Sequence, residues 1–363
     1  MSILDMPGQT SSTSCADCQS VAGSLEVRRR RLCNDCFGKY VGSKVLKRME
    51  SYRFKPGQRP YGRKLFLPLS GGVSSLVLLQ VLDAQLQRQV ANRNKTAYEL
   101  VLAHVVLPQQ ESPGAAAWRT TLQESFPSHF FLQPLALHDI FGRDDEFEGD
   151  LAHFGIRRVN DERDQDFLSR IFSSATSVTT RSDLQDIILK RVLVAAAKTQ
   201  DCESILWGHS DSRLAASTLA SVAKGRGGSV SASITDGPSS DGINNNYPLR
   251  DLFKSELELY ASITPGSLSD LVTESNTATK APTTIRNTSI DDLLTTYILS
   301  QGEKYPSIMA NVVRTAGKLQ VVDPASNARC RLCHGPLLRM ADEIEQEHLC
   351  YGCTRMKQDI KNV

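Results

Sequence analysis

Four stretches of the chain are apolar with almost no polar alternation: KLFLPLS (64–70), ELVLAHVVL (99–107), HFFLQPLAL (129–137) and CESILWGHS (202–210). A strand with one wet face alternates apolar and polar residues, whereas a run without alternation is expected where both faces are covered, as in a parallel sheet. Apolar positions recur at helical spacing over Ser74–Gln89, Ala115–Ser125, Arg181–Thr199 and Asp211–Lys224. This alternation of strand and helix predicts βαβ units, hence an α/β fold with a doubly wound parallel sheet. Ligands in such sheets bind beyond the carboxyl ends of the strands.

Two stretches break the pattern. Arg143–Asp166 carries nine acids, and Gly225–Asn246 reads GRGGSVSASITDGPSSDGINNN. Both are expected as polar insertions, exposed or disordered, because they offer too little apolar surface to offset the entropy of ordering.

Composition adds bounds. With 363 residues, 40% hydrophobic and 23% charged, the chain is long enough for one substantial core plus small appendages. No run approaches the roughly 20 apolar residues that cross a bilayer, and MSILDMPGQTSSTSC has neither the basic start nor the apolar stretch of a signal peptide. A cytosolic protein without a membrane partner is expected. The net charge of +2 is uninformative, but its distribution is not: Glu26–Lys64 holds thirteen Lys and Arg against three acids. Arg28, Arg29, Arg30 and Arg31, with Lys44, Lys47 and Arg48 on the helical stretch that follows, are read as a phosphate-binding surface for RNA, the alternative being a solvated face.

The cysteines carry the sharpest signal. Eight of the nine form four CxxC pairs: Cys15 and Cys18, Cys33 and Cys36, Cys330 and Cys333, Cys350 and Cys353. Fourteen residues separate the inner cysteines of the first set and sixteen those of the second, close to the spacing at which two knuckles converge on one tetrahedral ion. Two closed, structural Zn2+ ribbons are expected, one near each end, with a disulfide framework as the competing reading. Cys202, the ninth, opens an apolar run and reads as core. The organisation expected is a disordered stretch 1–14, a zinc ribbon with a basic helix at 15–60, an α/β domain at 61–325 and a second ribbon at 326–363.

A strand ending at Leu69, then Ser70, Gly71, Gly72 and a helix that takes in Ser74 and Ser75, aims backbone N–H groups at one spot, a geometry that binds an anion. It lacks the Lys of a Walker loop and the GxGxxG of a dinucleotide fold. A plain strand-to-helix turn is the alternative. After the later strand, His209 and Asp211 stand at the carboxyl end, where hydrogen bonding and capping of the next helix is the plainer role.

SGGVSS after a strand resembles the SGGxDS loop of the PP-loop ATP pyrophosphatases. WGHSDS (207–212) resembles their GHNxDD stretch, and YPLRDLFKSELELY their proline-leucine segment followed by a helix. A PP-loop core bracketed by CxxC ribbons resembles the tRNA 2-thiolation enzymes, and among them the cytoplasmic tRNA 2-thiolation protein 2 family, over Cys15–Cys353 apart from the two polar insertions. Two departures matter. The loop's usual Asp is Ser74, and where the thiolating enzymes carry central cysteines this chain reads FSSATSVTTR, with Ser174 and Ser177 roughly at their positions. Serine neither carries sulfur nor supplies a soft ligand.

The resemblance implies a catalytically depleted subunit of a heterodimeric tRNA sulfurtransferase that acts on the wobble uridine of lysine, glutamate and glutamine tRNAs. A related catalytic PP-loop subunit would be the partner, and a thiocarboxylated ubiquitin-related modifier the sulfur donor. ATP binding by this chain is left open, with His209 and Asp211 beside the degenerate loop. Two other readings stand beside it: an active ATP-dependent tRNA-modifying enzyme, and a zinc-ribbon nucleic-acid adaptor, which leaves the SGG loop unexplained.

Overall fold

The computed structural model describes residues 14–54, 62–107, 113–264, 268–273, 287–319, 329–337 and 348–361. The N-terminus expected to be disordered, up to residue 13, and the connector 338–347 within the second cysteine set lie outside them.

A hairpin of β1 (Leu25–Val27) and β2 (Arg30–Leu32) leads into α1 (Asn34–Arg48). The central sheet opens with β3 (Lys64–Leu69), α2 (Val73–Arg93), β4 (Glu99–Val106) and α3 (Pro113–Ser125). Two short strands follow, β5 (Phe130–Phe131) and β6 (Leu135–Ala136), in place of the single strand expected over 129–137. Pro134 lies between them and has no N–H to donate to a ladder. Helices α4 (Ile140–Arg143), α5 (Phe147–Ala152), α6 (Asp164–Ser174) and α7 (Val178–Thr199) precede β7 (Ser204–Leu206) and α8 (Asp211–Ala223). Then come α9 (Val230–Ile234), β8 (Gly237–Pro238) and β9 (Asn244–Asn246). Helices α10 (Lys254–Ile263), α11 (Leu268–Leu271), α12 (Ile290–Lys304), α13 (Pro306–Ala316) and α14 (Tyr351–Gln358) complete the described chain.

The sheet runs β5-β4-β3-β7-β9-β8, with β6 also on β4, and every pair is parallel except β8 with β9. It is the expected α/β parallel sheet. Residues of β3 and β4 divide between two cores: Leu65, Leu67, Leu69, Leu100 and Leu102 face one cluster, Phe66, Val101 and Ala103 the other. Both faces are covered, which is why these strands read as unbroken apolar runs.

Each cysteine ribbon is welded to one of these faces. Cys15, Cys33 and Cys36 share the first core with Phe37, Val41 and Val45 of α1, and Cys330, Leu332 and Cys353 share the second with α4–α7. A third cluster joins α8 to α9, α12 and α13 through Leu214, Val230, Ile298 and Met309.

Neither polar stretch is the exposed insertion expected from composition. In 143–166, Phe147 and Leu151 of α5 and Phe154 in the turn after it are buried, while Arg191 and Arg158 pair with four of the acids. In 225–246, Val230 and Ile234 are buried and Asn244–Asn246 forms a strand paired with β7. Asn is a poor strand former. Here the Asn245 side-chain carbonyl accepts from Trp207 Nε1–H at 2.8 Å, so a tertiary partner overrides propensity.

Candidate functional site: a phosphate-type loop between two cysteine ribbons

The strand order turns back on either side of β3, whose neighbours are β4 and β7, so the loops after β3 and β7 meet where ligands bind in such sheets. The Ser70–Ser75 loop lies there. Gly71 has φ +75°, a conformation L side chains seldom adopt, and Gly72 is the N-cap of α2. The Gly72 N–H donates to Ser70 Oγ (3.3 Å), and Ser75 Oγ–H donates to the Gly72 carbonyl (2.9 Å). The loop therefore satisfies part of its own polarity. Ser74 is half-buried and brings no charge.

The WGHS turn after β7 touches this loop. A Cβ on Gly208 would stand 3.1 Å from Ser75 Cα, so glycine is what lets the two loops meet. His209 points elsewhere: its ring stacks between Trp207 and Tyr247 and lines a cleft of about 300 Å³ between α7 and α8. Burial, helped by Arg213, lowers its pKa to about 3, so the imidazole is neutral. The cap of α8 is Ser210, whose Oγ accepts from Arg213 N–H (3.3 Å), not His209 or Asp211.

Asp211 is buried, and one carboxylate oxygen has no partner among the described residues. Burial raises its pKa to about 7 against the pull of Arg28. A carboxyl raised in the folded state favours folding when protonated, so its contribution declines as pH rises from about 4 to 7. Asp211→Asn is expected to be more stable than the parent at pH 8 by roughly 1 to 3 kcal/mol, with the gap closing towards pH 4. Denaturant titrations across that range would show it, and parallel pH profiles for the two proteins would refute it.

Ser174 and Ser177, expected roughly where the thiolating enzymes carry cysteines, have local duties. Ser174 is buried and donates to the Ile171 carbonyl (2.7 Å), while Ser177 caps α7 by accepting from Thr180 N–H (3.1 Å). The chain's own Asp359–Lys361 covers them. Ala175 and Ile360 form an antiparallel bridge, Thr176 N–H donates to the Asp359 carbonyl (3.0 Å), and Thr180 Oγ1–H donates to Asp359 Oδ2 (2.8 Å). Cys202 lies at the opposite end of β7, buried, its thiol pushed up to about 11. It lies in the second core, the place expected for it.

Both four-cysteine sets come together. Within each, the four sulfurs lie within 4.8 Å of one another. The Cys18–Cys33 and Cys333–Cys350 separations of 3.9 and 3.7 Å match the edge of about 3.8 Å of a tetrahedron with 2.3 Å metal–sulfur bonds. Backbone N–H groups of Cys33 and Gly335 point at Cys15 and Cys333 sulfurs (3.3 and 3.4 Å), which favours thiolates. The donor sets fit a closed structural metal ion. In a third group, Glu146, Asp150 and His334, each member already has a partner within the protein: Arg329, Arg191 and Asp241 respectively.

The basic segment divides. Arg28 and Arg29 form the two-residue turn of the β1–β2 hairpin, both with positive φ (47° and 66°), which sends their side chains apart. Arg28 grips Glu256 with two bonds (2.7 and 2.9 Å) and stacks on Phe253. Arg48 grips Asp251 (2.7 and 3.0 Å), and Arg30 pairs with Asp17. Lys44 lies over the Tyr40 ring. Arg29, Arg31 and Lys47 are exposed, with no ionic partner among the described residues. Glu256 and Asp251 were invisible as partners because more than 200 residues separate them from Arg28 and Arg48.

Against known proteins, the family model described as cytoplasmic tRNA 2-thiolation protein 2 matches residues 289–346. A protein of that name from Aspergillus clavatus is 39% identical over 98% of this chain and 100% of its own length. The one from Aspergillus oryzae is 40% identical over 97% of this chain and 99% of its own. Among solved structures, the U34-tRNA thiolase NcsA from Methanococcus maripaludis, determined with its [4Fe-4S] cluster, matches with a TM-score of 0.57 at 14% identity, covering 95% of this chain and 96% of that one. That likeness establishes a shared fold. With near-complete coverage at this identity, the chain belongs to the cytoplasmic tRNA 2-thiolation protein 2 family.

Proposed function

We propose that this chain is the catalytically depleted subunit of a heterodimeric cytoplasmic tRNA sulfurtransferase that 2-thiolates the wobble uridine of lysine, glutamate and glutamine tRNAs. A related PP-loop subunit supplies the ATP-dependent chemistry, with sulfur from a thiocarboxylated ubiquitin-related modifier. This chain contributes a scaffold closed by two Zn2+ ribbons, 15–60 and 326–363, around the α/β core, and a basic surface that meets tRNA phosphates.

The observation that carries the reading is the state of Ser174 and Ser177: neither holds sulfur, and Asp359–Lys361 lies across them. Adenylated uridine would find no thiol there. For the RNA surface, Arg29, Arg31, Lys44 and Lys47 are the residues proposed, since Arg28 and Arg48 hold the ribbon to the core.

The test is reconstitution with ATP, a sulfur donor and tRNA, using this chain alone, the partner alone and the pair. The expected result is 2-thiouridine only from the pair, unchanged by Ser74→Ala. Replacing Arg29, Arg31, Lys44 and Lys47 with alanine should weaken tRNA binding by the pair and flatten its salt dependence, without altering base preference. Robust thiolation by this chain alone would establish it as an enzyme in its own right.

A further inference from the structure

We propose that Leu271–Thr273 forms an intramolecular strap over the Ser70–Ser75 loop, so that a diphosphate-bearing ligand enters only when the strap is displaced. The proposal rests on reading that loop as a phosphate loop.

The contacts close into a ring around the loop. Thr273 N–H donates to the Gly71 carbonyl at 3.0 Å, and a Cβ on Gly71 would collide with Thr273 Oγ1. Gly71 is buried while Thr273 is exposed, so the strap is the outer layer and the glycine the inner one. The strap is anchored from behind: Leu268 and Leu271 are buried, and Trp118 Nε1–H donates to the Leu271 carbonyl at 2.6 Å. The Trp118 ring packs on His104 with centroids 4.8 Å apart. His104, beside Leu69 in the β3–β4 register, has its Nδ1 2.9 Å from the Leu69 carbonyl. From Leu69 through His104, Trp118, Leu271 and Thr273 back to Gly71, each link is a described contact.

This arrangement gives Gly71 a role independent of any nucleotide. Its missing Cβ makes room for Thr273, and its positive φ presents the carbonyl that Thr273 binds. A diphosphate settling onto the start of α2 would compete with the Thr273 hydroxyl and amide for this space. A site closed in most molecules shows an apparent affinity reduced by the open fraction. The strap therefore keeps the loop empty without removing its donors.

Pyrophosphate is the probe, titrated calorimetrically into the full chain. Thr273→Pro removes the N–H that binds Gly71, and Trp118→Phe keeps a ring on His104 but removes the bond to Leu271. Hydrogen exchange over residues 69–76 reports strap release without reference to any ligand. The expected result is faster exchange confined to that region in both variants and a gain of roughly tenfold or more in pyrophosphate affinity over a parent that binds weakly or not at all. Equal affinity in parent and variants would overturn the proposal, as would unchanged exchange in both variants. Released straps with no pyrophosphate binding would also overturn it, since the loop would then have lost anion affinity by itself. None of these outcomes touches the subunit role, which the reconstituted pair decides.

Discussion

In Arg191→Met protein, stability is expected to fall by about 3 to 5 kcal/mol, with the C-terminal ribbon loosening first. Arg191 is 3% exposed. Its guanidinium holds Asp144 through two bonds (2.7 and 3.0 Å), Asp150 through a third (2.8 Å), and the carbonyls of Arg331 and Leu332 at 3.0 and 3.2 Å. It thus ties both the acidic segment and the second cysteine set to α7. Methionine fills the space over Phe147 but leaves Asp150 buried without its counter-ion and two carbonyls without a donor. Such orphaned groups cost more than the intact pair contributes. Adding Asp150→Asn should recover part of the loss, because the stranded charge is removed. Against burial, which pushes it up, Arg191 holds the Asp144 carboxyl below its ordinary range. Asp144 therefore contributes stability above about pH 4 and loses it on acidification. Denaturant unfolding of parent, single and double variants measures all of this, and a loss under about 1 kcal/mol for Arg191→Met would contradict it.

The legible parts of this fold were those with local causes. Parallel strands buried on both faces leave unbroken apolar runs, and β3 and β4 appear within a residue of their expected ends. CxxC pairs carry their geometry in the spacing, and both sets converge. What escaped depends on partners far away in sequence. The strand Asn244–Asn246 exists because β7 and Trp207 take up its polar groups, and composition alone made it look like linker. The acidic segment hid Phe147, Leu151 and Phe154, buried apolar residues that a charge count passes over. In the arginine run, Arg28 was indistinguishable from Arg29 until the hairpin turn sent one to Glu256 and the other to solvent.

The coverings at the site were equally silent in sequence. Ser74 in the SGG loop, and Ser174 and Ser177 further on, were readable as departures from the PP-loop thiolase pattern. That Thr273 lies over the first and Asp359–Lys361 over the second was not. Both contacts join a loop to a segment far away in sequence, which is why neither could be read locally.

Removing metal is the other change expected to have a large effect. Purified, well-folded protein should carry close to two zinc ions, and Cys33→Ser or Cys350→Ser should each lower the content by one. Each loss is expected to cost several kcal/mol, less than the roughly 10 to 16 kcal/mol found in finger peptides, whose fold is made by the ion alone. Here α1 keeps Phe37, Val41 and Val45 in the first core, and α14 keeps Met356 in the second. The two losses should differ in kind. At the C-terminal centre Arg226, 9% exposed, donates to Cys353 Sγ at 3.5 Å and pairs with Asp183, which also holds Lys224, which in turn holds Asp291 at the start of α12. Four thiolates around a divalent cation leave a net negative centre for Arg226 to face, and without the ion the thiols protonate and that attraction fades. Cys350→Ser should therefore speed hydrogen exchange not only in α14 but also at Asp359–Lys361, Ser174–Thr180 and the first turn of α12. Cys33→Ser should act on the hairpin, α1 and the Glu256 contact, and leave the C-terminal region unchanged. Metal analysis finding no zinc, or iron in its place, would defeat the assignment, and identical exchange patterns in the two variants would defeat the claim that each ribbon serves its own face of the sheet.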